Sequence, residues 1–230
     1  MANERPSAGW FGFSALEPGF LRDRIQTEGR VHEPGVGSAK LLGSCRQAVA
    51  DGLGYVWIDT CCVYKANLVE LSTSLCYAYL SDVPGDDRPD NPGSKFRTSR
   101  WFRRGWTLQE LLAPKHLRFY NAEWVLLGNK AGTLRTVIGN ITGIATKILR
   151  RPPPPFSTPG AQCERCTEHV MAAGRETKRK EDMAYCLLGI FGVTMPMIYG
   201  EGGEQAVLRL QEQIMKKTGD DRFYPGVGTF

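Results

Sequence analysis

Between residues 38 and 52 the apolar positions Leu41, Leu42, Cys45, Ala48 and Val49 recur at the three-to-four spacing of one helix face, and Gly52-Leu53-Gly54 stops the pattern. Tyr55-Val56-Trp57-Ile58 is then a short apolar run ending at Asp59, which predicts a buried strand. Residues 76–80, followed by Ser81 and Asp82, predict a second strand, and residues 117–120 a third. Polar residues at the C-terminal end of a strand mark where an open α/β sheet places its site. Residues 84–94 read as a loop, 106–112 as a short helix closed by Pro114, and 134–141 as another helix. Residues 150–160 (RRPPPPFSTPG) form a proline-rich break. Beyond it, Met183, Ala184, Leu187, Leu188 and Phe191 predict one helix, and Val207, Leu210 and Ile214 a last one after the turn at Gly200-Glu201-Gly202-Gly203. Before residue 38, Phe11, Phe13, Leu16, Phe20 and Leu21 are apolar, but glycine and proline interrupt them and no strand is predicted there.

Composition sets the bounds. The 230 residues are 42% hydrophobic, 10% aromatic and 23% charged, which suits a folded chain of one large domain or a domain and a half. Twenty-nine Lys and Arg against 24 Asp and Glu leave +5, too small an excess to imply nucleic acid. The 26 glycines and 14 prolines follow no period, so collagen and repeat arrays are excluded. No apolar segment reaches the roughly 20 residues of a spanning helix. Glu4 and Arg5 precede no apolar core, so no secretory signal is expected. Seven cysteines, an odd number, then read as reduced thiols in a cytosol.

Few motifs carry chemistry. Gly35-Val36-Gly37-Ser38-Ala39-Lys40 fits neither phosphate-loop pattern, and His32, His116 and His169 sit in unrelated segments with no nucleophile elbow. Cys163, Cys166 and His169 are metal-ligand types, but a fourth ligand is missing and no metal is expected. Cys61-Cys62 reads as a pair of small buried thiols. Lys95, Arg97, Arg100, Arg103 and Arg104 are interleaved with Phe96, Trp101 and Phe102. That is the composition of a nucleic-acid surface or a phosphate cradle, although a solvated face is the commoner outcome. Thr107-Leu108-Gln109-Glu110 matches the capping box. Glu110 falls about 200° around the helix from Leu108, on the side of Trp106 and Arg103. A carboxylate beside arginines and an aromatic wall could also bind a ribose or stabilise developing positive charge.

Residues 55–62 (YVWIDTCC), 76–83 (CYAYLSDV) and 104–114 (RGWTLQELLAP) resemble the signature blocks of the fungal heterokaryon incompatibility (HET) domain. Residues 172–177 (AAGRET), 181–191 (EDMAYCLLGIF) and 195–201 (MPMIYGE) resemble the segment that follows this domain in many such proteins. The resemblance covers about residues 40–218. It implies a cytoplasmic effector of fungal non-self recognition that acts by assembly and triggers growth arrest or programmed cell death. It divides the chain into a divergent segment (1–37), an incomplete HET-like α/β domain (38–149), a proline-rich linker (150–161) and an α-helical C-terminal extension (162–230). The implied partners are proteins, either other HET-domain proteins or an upstream receptor, with self-association a further expectation. Neither membrane nor nucleic acid is expected as a partner, and no cofactor is expected.

The HET domain is in turn distantly similar to Toll/interleukin-1 receptor (TIR) domains, which implies a TIR- or flavodoxin-like partial parallel sheet. On that resemblance residues 55–59, 76–82 and 118–120 are its second, third and fourth strands. Glu110 takes the place of the glutamate that acts in NAD hydrolysis. The alternative function is therefore a NAD glycohydrolase, with NAD as substrate, Glu110 catalytic and Arg103, Arg104 and Trp106 holding the dinucleotide. Two departures stand out. The usual first strand, of the type YAxLSHxW, has no match in residues 1–37, and only 13 residues (63–75) connect the second and third strands. Met171 also stands where tryptophan is usual. Loss of a central strand would leave two edges open to aggregation, which makes a truncated, inactive relative a further reading.

Overall fold

The computed structural model describes residues 10–13, 36–53, 56–58, 75–150 and 174–218. Cys61, Cys62, Cys163, Cys166, His169 and most of the proline-rich break lie outside these residues. The chain forms two compact units: Met1–Trp101 with Pro114–Val137, and Phe102–Ala113 with Ile138–Phe230.

The first unit is built on a five-stranded sheet of β1 (Trp10–Phe13), β2 (Trp57–Ile58), β3 (Leu75–Tyr79), β4 (Leu117–Tyr120) and β5 (Leu126–Asn129). Their order is β2-β1-β3-β4-β5. The central place expected to be empty is filled by a short strand. β1 lies between β2 and β3, with Phe11 opposite Ile58 on one side and Tyr77 on the other. It escapes a sequence reading because four residues, one of them Gly12, are too few to show an alternation. The sheet is also mixed rather than parallel. Only β3 and β4 pair in parallel; β1 runs against both its neighbours, and β5 runs against β4. The open edges that an absent strand would leave beside β2 and β3 are thus paired.

Helix α1 (Val36–Ala50) packs on this sheet through Gly43. A Cβ at Gly43 would fall 1.9 Å from the Trp124 indole, whose Nε1 donates to the Ala39 carbonyl at 3.1 Å. The Trp124 ring stacks on Tyr79 with centroids 4.9 Å apart. Just past α1, Asp51 accepts from Arg118 Nη1 on β4 at 2.8 and 2.9 Å and from the Tyr77 hydroxyl on β3. Burial works against the Asp51 charge, yet the bonds from Tyr77, Arg118 and Gln47 outweigh it and hold the carboxyl below its ordinary value.

Two short turns follow β3, each capped by an aspartate. Asp87 accepts from Ser94 Oγ (2.6 Å) and the amides of Lys95 (2.8 Å) and Phe96 (3.1 Å) at the start of α2 (Lys95–Thr98). Asp82 accepts from Ser99 Oγ and the Arg100 amide, both at 2.8 Å, at the start of the 3-10 turn Arg100–Arg103. This arrangement turns Phe96 and Trp101 inward, edge-on to Phe119 with centroids 5.5 and 5.3 Å apart. Lys95, Arg100 and Arg103 stay exposed while Phe96, Trp101 and Phe102 are buried, so the basic-aromatic block offers no rings for stacking bases.

The second unit is helical. It contains α3 (Thr107–Leu112), the greater part of α4 (Arg135–Thr142), α5 (Thr146–Arg150), α6 (Asp182–Tyr185), α7 (Leu188–Phe191) and α8 (Gly203–Thr218). The single helix expected over 183–191 is two short ones, broken at Cys186 and Leu187, and Gly192 (φ 60°) ends the second in the left-handed region. On α8, Ala206, Leu210 and Ile214 are buried at a spacing of four.

Candidate functional site

The residues singled out in the sequence converge on α3. Its six residues, Thr107 to Leu112, are all buried, so the helix has no polar face turned to solvent. Thr107 is not the N-cap of this helix. Residue 107 is already helical, and the N-cap, Trp106, has αR dihedrals and no side-chain cap bond, whereas a cap oxygen reaches the first-turn amides from an extended residue. Thr107 Oγ1 instead donates to the Arg104 carbonyl at 2.7 Å and accepts from Arg175 Nη1 at 2.9 Å.

Arg175 is the centre of the arrangement. Its Nη1 also donates to the Arg104 carbonyl at 2.8 Å. Its Nε and Nη2 are buried with no hydrogen-bond partner among the described residues. Burial pulls the guanidinium down to about 10, while the neighbouring Cys186 and Glu110 work the other way. It therefore stays charged at neutral pH. Glu110, 9% exposed, thus lies inside the unit within electrostatic reach of Arg175.

Backbone pairing brings Arg175 there. The Glu176 amide donates to the Arg103 carbonyl at 2.5 Å, and the Gly105 amide to the Glu176 carbonyl at 3.0 Å. Gly105 permits this approach, because a Cβ at that position would lie 2.5 Å from Thr177 Cγ2 and 3.3 Å from Cys186 Sγ. From the same helix, Gln109 Nε2 donates to the Cys186 carbonyl at 2.5 Å. Burial pushes the Cys186 thiol up to about 12, which keeps it neutral and unreactive.

The sequence blocks at 104–114, 172–177 and 181–191 are thus one structure. Of the predicted site residues, Glu110 is buried, Trp106 and Arg104 are half-buried and Arg103 is exposed. Sequence reasoning missed Arg175, Gln109 and Cys186. Only the position of Arg175 within the Ala172-Ala173-Gly174-Arg175 run hinted at it. Among the described residues, no group of three or more His, Cys, Asp or Glu is placed to hold a metal ion.

The chain is 39% identical over 203 residues to the vegetative incompatibility protein HET-E-1 of Podospora anserina. Over most of its length, then, the chain is similar to a vegetative incompatibility protein. The match takes in 80% of this chain and 14% of HET-E-1, so the chain spans about a seventh of that protein's length. No family model and no solved structure matches. No helix among the described residues is long and apolar enough to cross a membrane.

Proposed function

We propose that this chain is the effector part of a vegetative incompatibility system, acting in the fungal cytoplasm by assembly with protein partners and ending in growth arrest or cell death. The 39% identity to HET-E-1 carries this reading. The joining of the separate HET-like blocks around α3 supports it, since the resemblance then extends to a packed unit rather than scattered strings. Within this reading Glu110 has a structural role beside Arg175 rather than a hydrolytic one. The strand order β2-β1-β3-β4-β5 favours a distant TIR-like origin for the sheet, and the reversed directions of β1 and β5 set it apart from a fully parallel one.

The test is expression of residues 1–230 in a filamentous fungus, alongside Trp106→Ala. The indole starts α3, and its loss should loosen the joined blocks. Growth arrest with the unaltered chain and normal growth with Trp106→Ala are expected. Normal growth with both, at good protein levels, would overturn the proposal.

A further inference from the structure

The helical unit carries a stiff apolar projection. After α7 the chain exposes Met197, Ile198 and Tyr199 in succession, the last two 50% and 45% exposed. Consecutive exposed apolar residues usually gain their place from flexibility, but here the backbone is pinned. The Tyr185 hydroxyl accepts from the Ile198 amide at 2.8 Å and donates to Glu201 at 2.5 Å. Glu181 accepts from the Gly200 amide at 2.9 Å, and Arg209 Nη2 donates to the Pro196 carbonyl at 2.7 Å. Arg179 lies over the Tyr199 ring, 4.3 Å from its centroid. That contact brings the exposed basic run Lys178-Arg179-Lys180 alongside the projection. The result is a preordered apolar tip with a positive rim, the anatomy of a protein-binding surface.

The sheet unit carries a second exposed apolar surface, with carboxylates outnumbering cations beside it. Val125 and Leu126, where β5 begins at the sheet's edge, are 51% and 54% exposed. The turn before them is tied to the 84–90 loop: Glu123 accepts from the Gly85 amide at 3.2 Å, and Asn121 Nδ2 donates to the Gly85 carbonyl at 3.3 Å. Glu123 lies on this turn and Asp86 and Asp90 on the tied loop; all three are exposed, as is Arg88, and Arg97 donates to the loop's Pro89 and Asp90 carbonyls at 3.0 and 3.3 Å.

We infer that the tip at 197–199 of one molecule docks on the Val125–Leu126 surface of a second copy of this chain. Apolar meets apolar, and Lys178–Lys180 meet Asp86, Asp90 and Glu123. Two different surfaces are used, so the contact is head-to-tail and can propagate from copy to copy. It names one partner for the assembly proposed above and rests on that reading.

The test is analytical ultracentrifugation of the whole chain against two charge reversals, Lys178→Glu/Lys180→Glu and Asp86→Lys/Asp90→Lys. None of these four side chains takes part in the bonds that hold either surface, and circular dichroism with thermal melting checks the fold. The unaltered chain should associate as concentration rises and dissociate as salt rises. Each reversal alone should remain monomeric, because its two surfaces then carry the same sign. An equimolar mixture of the two should associate again, since every contact regains opposite charges. Association unaffected by either reversal, failure of the mixture to associate, or a monomer at every concentration overturns the inference. In the last case, growth arrest by the same chain would leave the incompatibility role standing with a different partner.

Discussion

Arg175 and Thr107, 68 residues apart in sequence, share a hydrogen bond of 2.9 Å inside the helical unit. That bond joins two sequence blocks which no local pattern connects. Because both groups also touch the Arg104 carbonyl, their effects on stability should be coupled. Arg175→Ala should cost about 3 kcal/mol, since it removes a buried charge that faces Glu110 together with the bonds to Thr107 and the Arg104 carbonyl. Thr107→Val should cost about 1 kcal/mol. The double variant should fall short of the sum by about 1 kcal/mol, the mark of a shared interaction. Urea unfolding of the four proteins measures this; strict additivity would deny that the two residues act together.

Gly43 should resist a change that helix propensity favours. In an exposed helix interior, Gly→Ala stabilises by roughly 1 kcal/mol. Here the added methyl would collide with the Trp124 indole, which is held by its bond to Ala39 and its stack on Tyr79. Gly43→Ala should therefore destabilise, by about 2 kcal/mol. The double variant Gly43→Ala/Trp124→Leu should lose part of that penalty. A rise in melting temperature with Gly43→Ala alone would show that the indole yields.

What the sequence revealed follows from the range of the forces involved. Strands β3 and β4 and helices α1, α3, α4 and α8 were legible to within a few residues, because runs and face spacing are local signals. β1 was not, because four residues held by pairing on both sides need no pattern of their own. Nor was β5, whose Leu126-Leu127-Gly128-Asn129 is largely exposed and gains its place from β4. At α3, Thr107 and Glu110 satisfied the local rule for a capping box, and a distant arginine took the hydroxyl instead. Local chemistry was read correctly there as a need for partners, but the partner came from tertiary structure.

Acid should act on the sheet unit through Asp51. Its carboxyl titrates below the ordinary 3.8 because Tyr77, Arg118 and Gln47 bond the charged form despite burial. A depressed carboxylate contributes stability that is present above its unfolded value and is lost as pH falls through the folded one. Taken from about pH 5 to about pH 2, the unaltered protein should lose stability more steeply than Asp51→Asn, which has no such proton to gain. Parallel curves for the two would remove Asp51 from the acid response.

Lys130 should make the opposite limb of the pH profile. The side chain is 1% exposed, and its Nζ donates to the Pro114 carbonyl at 2.6 Å. Burial pulls the ammonium from 10.5 down to about 8, with Cys76 opposing. Below the folded value both states hold the proton, and the folded one bears the cost of a buried charge. Between that value and 10.5 the unfolded chain still binds the proton while the folded chain has released it, so stability should rise with pH across this window. Other groups titrate there too, and the measurable quantity is the difference from Lys130→Met, which keeps the length of the stem but carries no charge. The unaltered protein should gain on Lys130→Met as pH rises from about 8 to about 10, by as much as a few kcal/mol. A constant difference across that range would mean that Lys130 keeps its proton in the fold, held by its bond to Pro114.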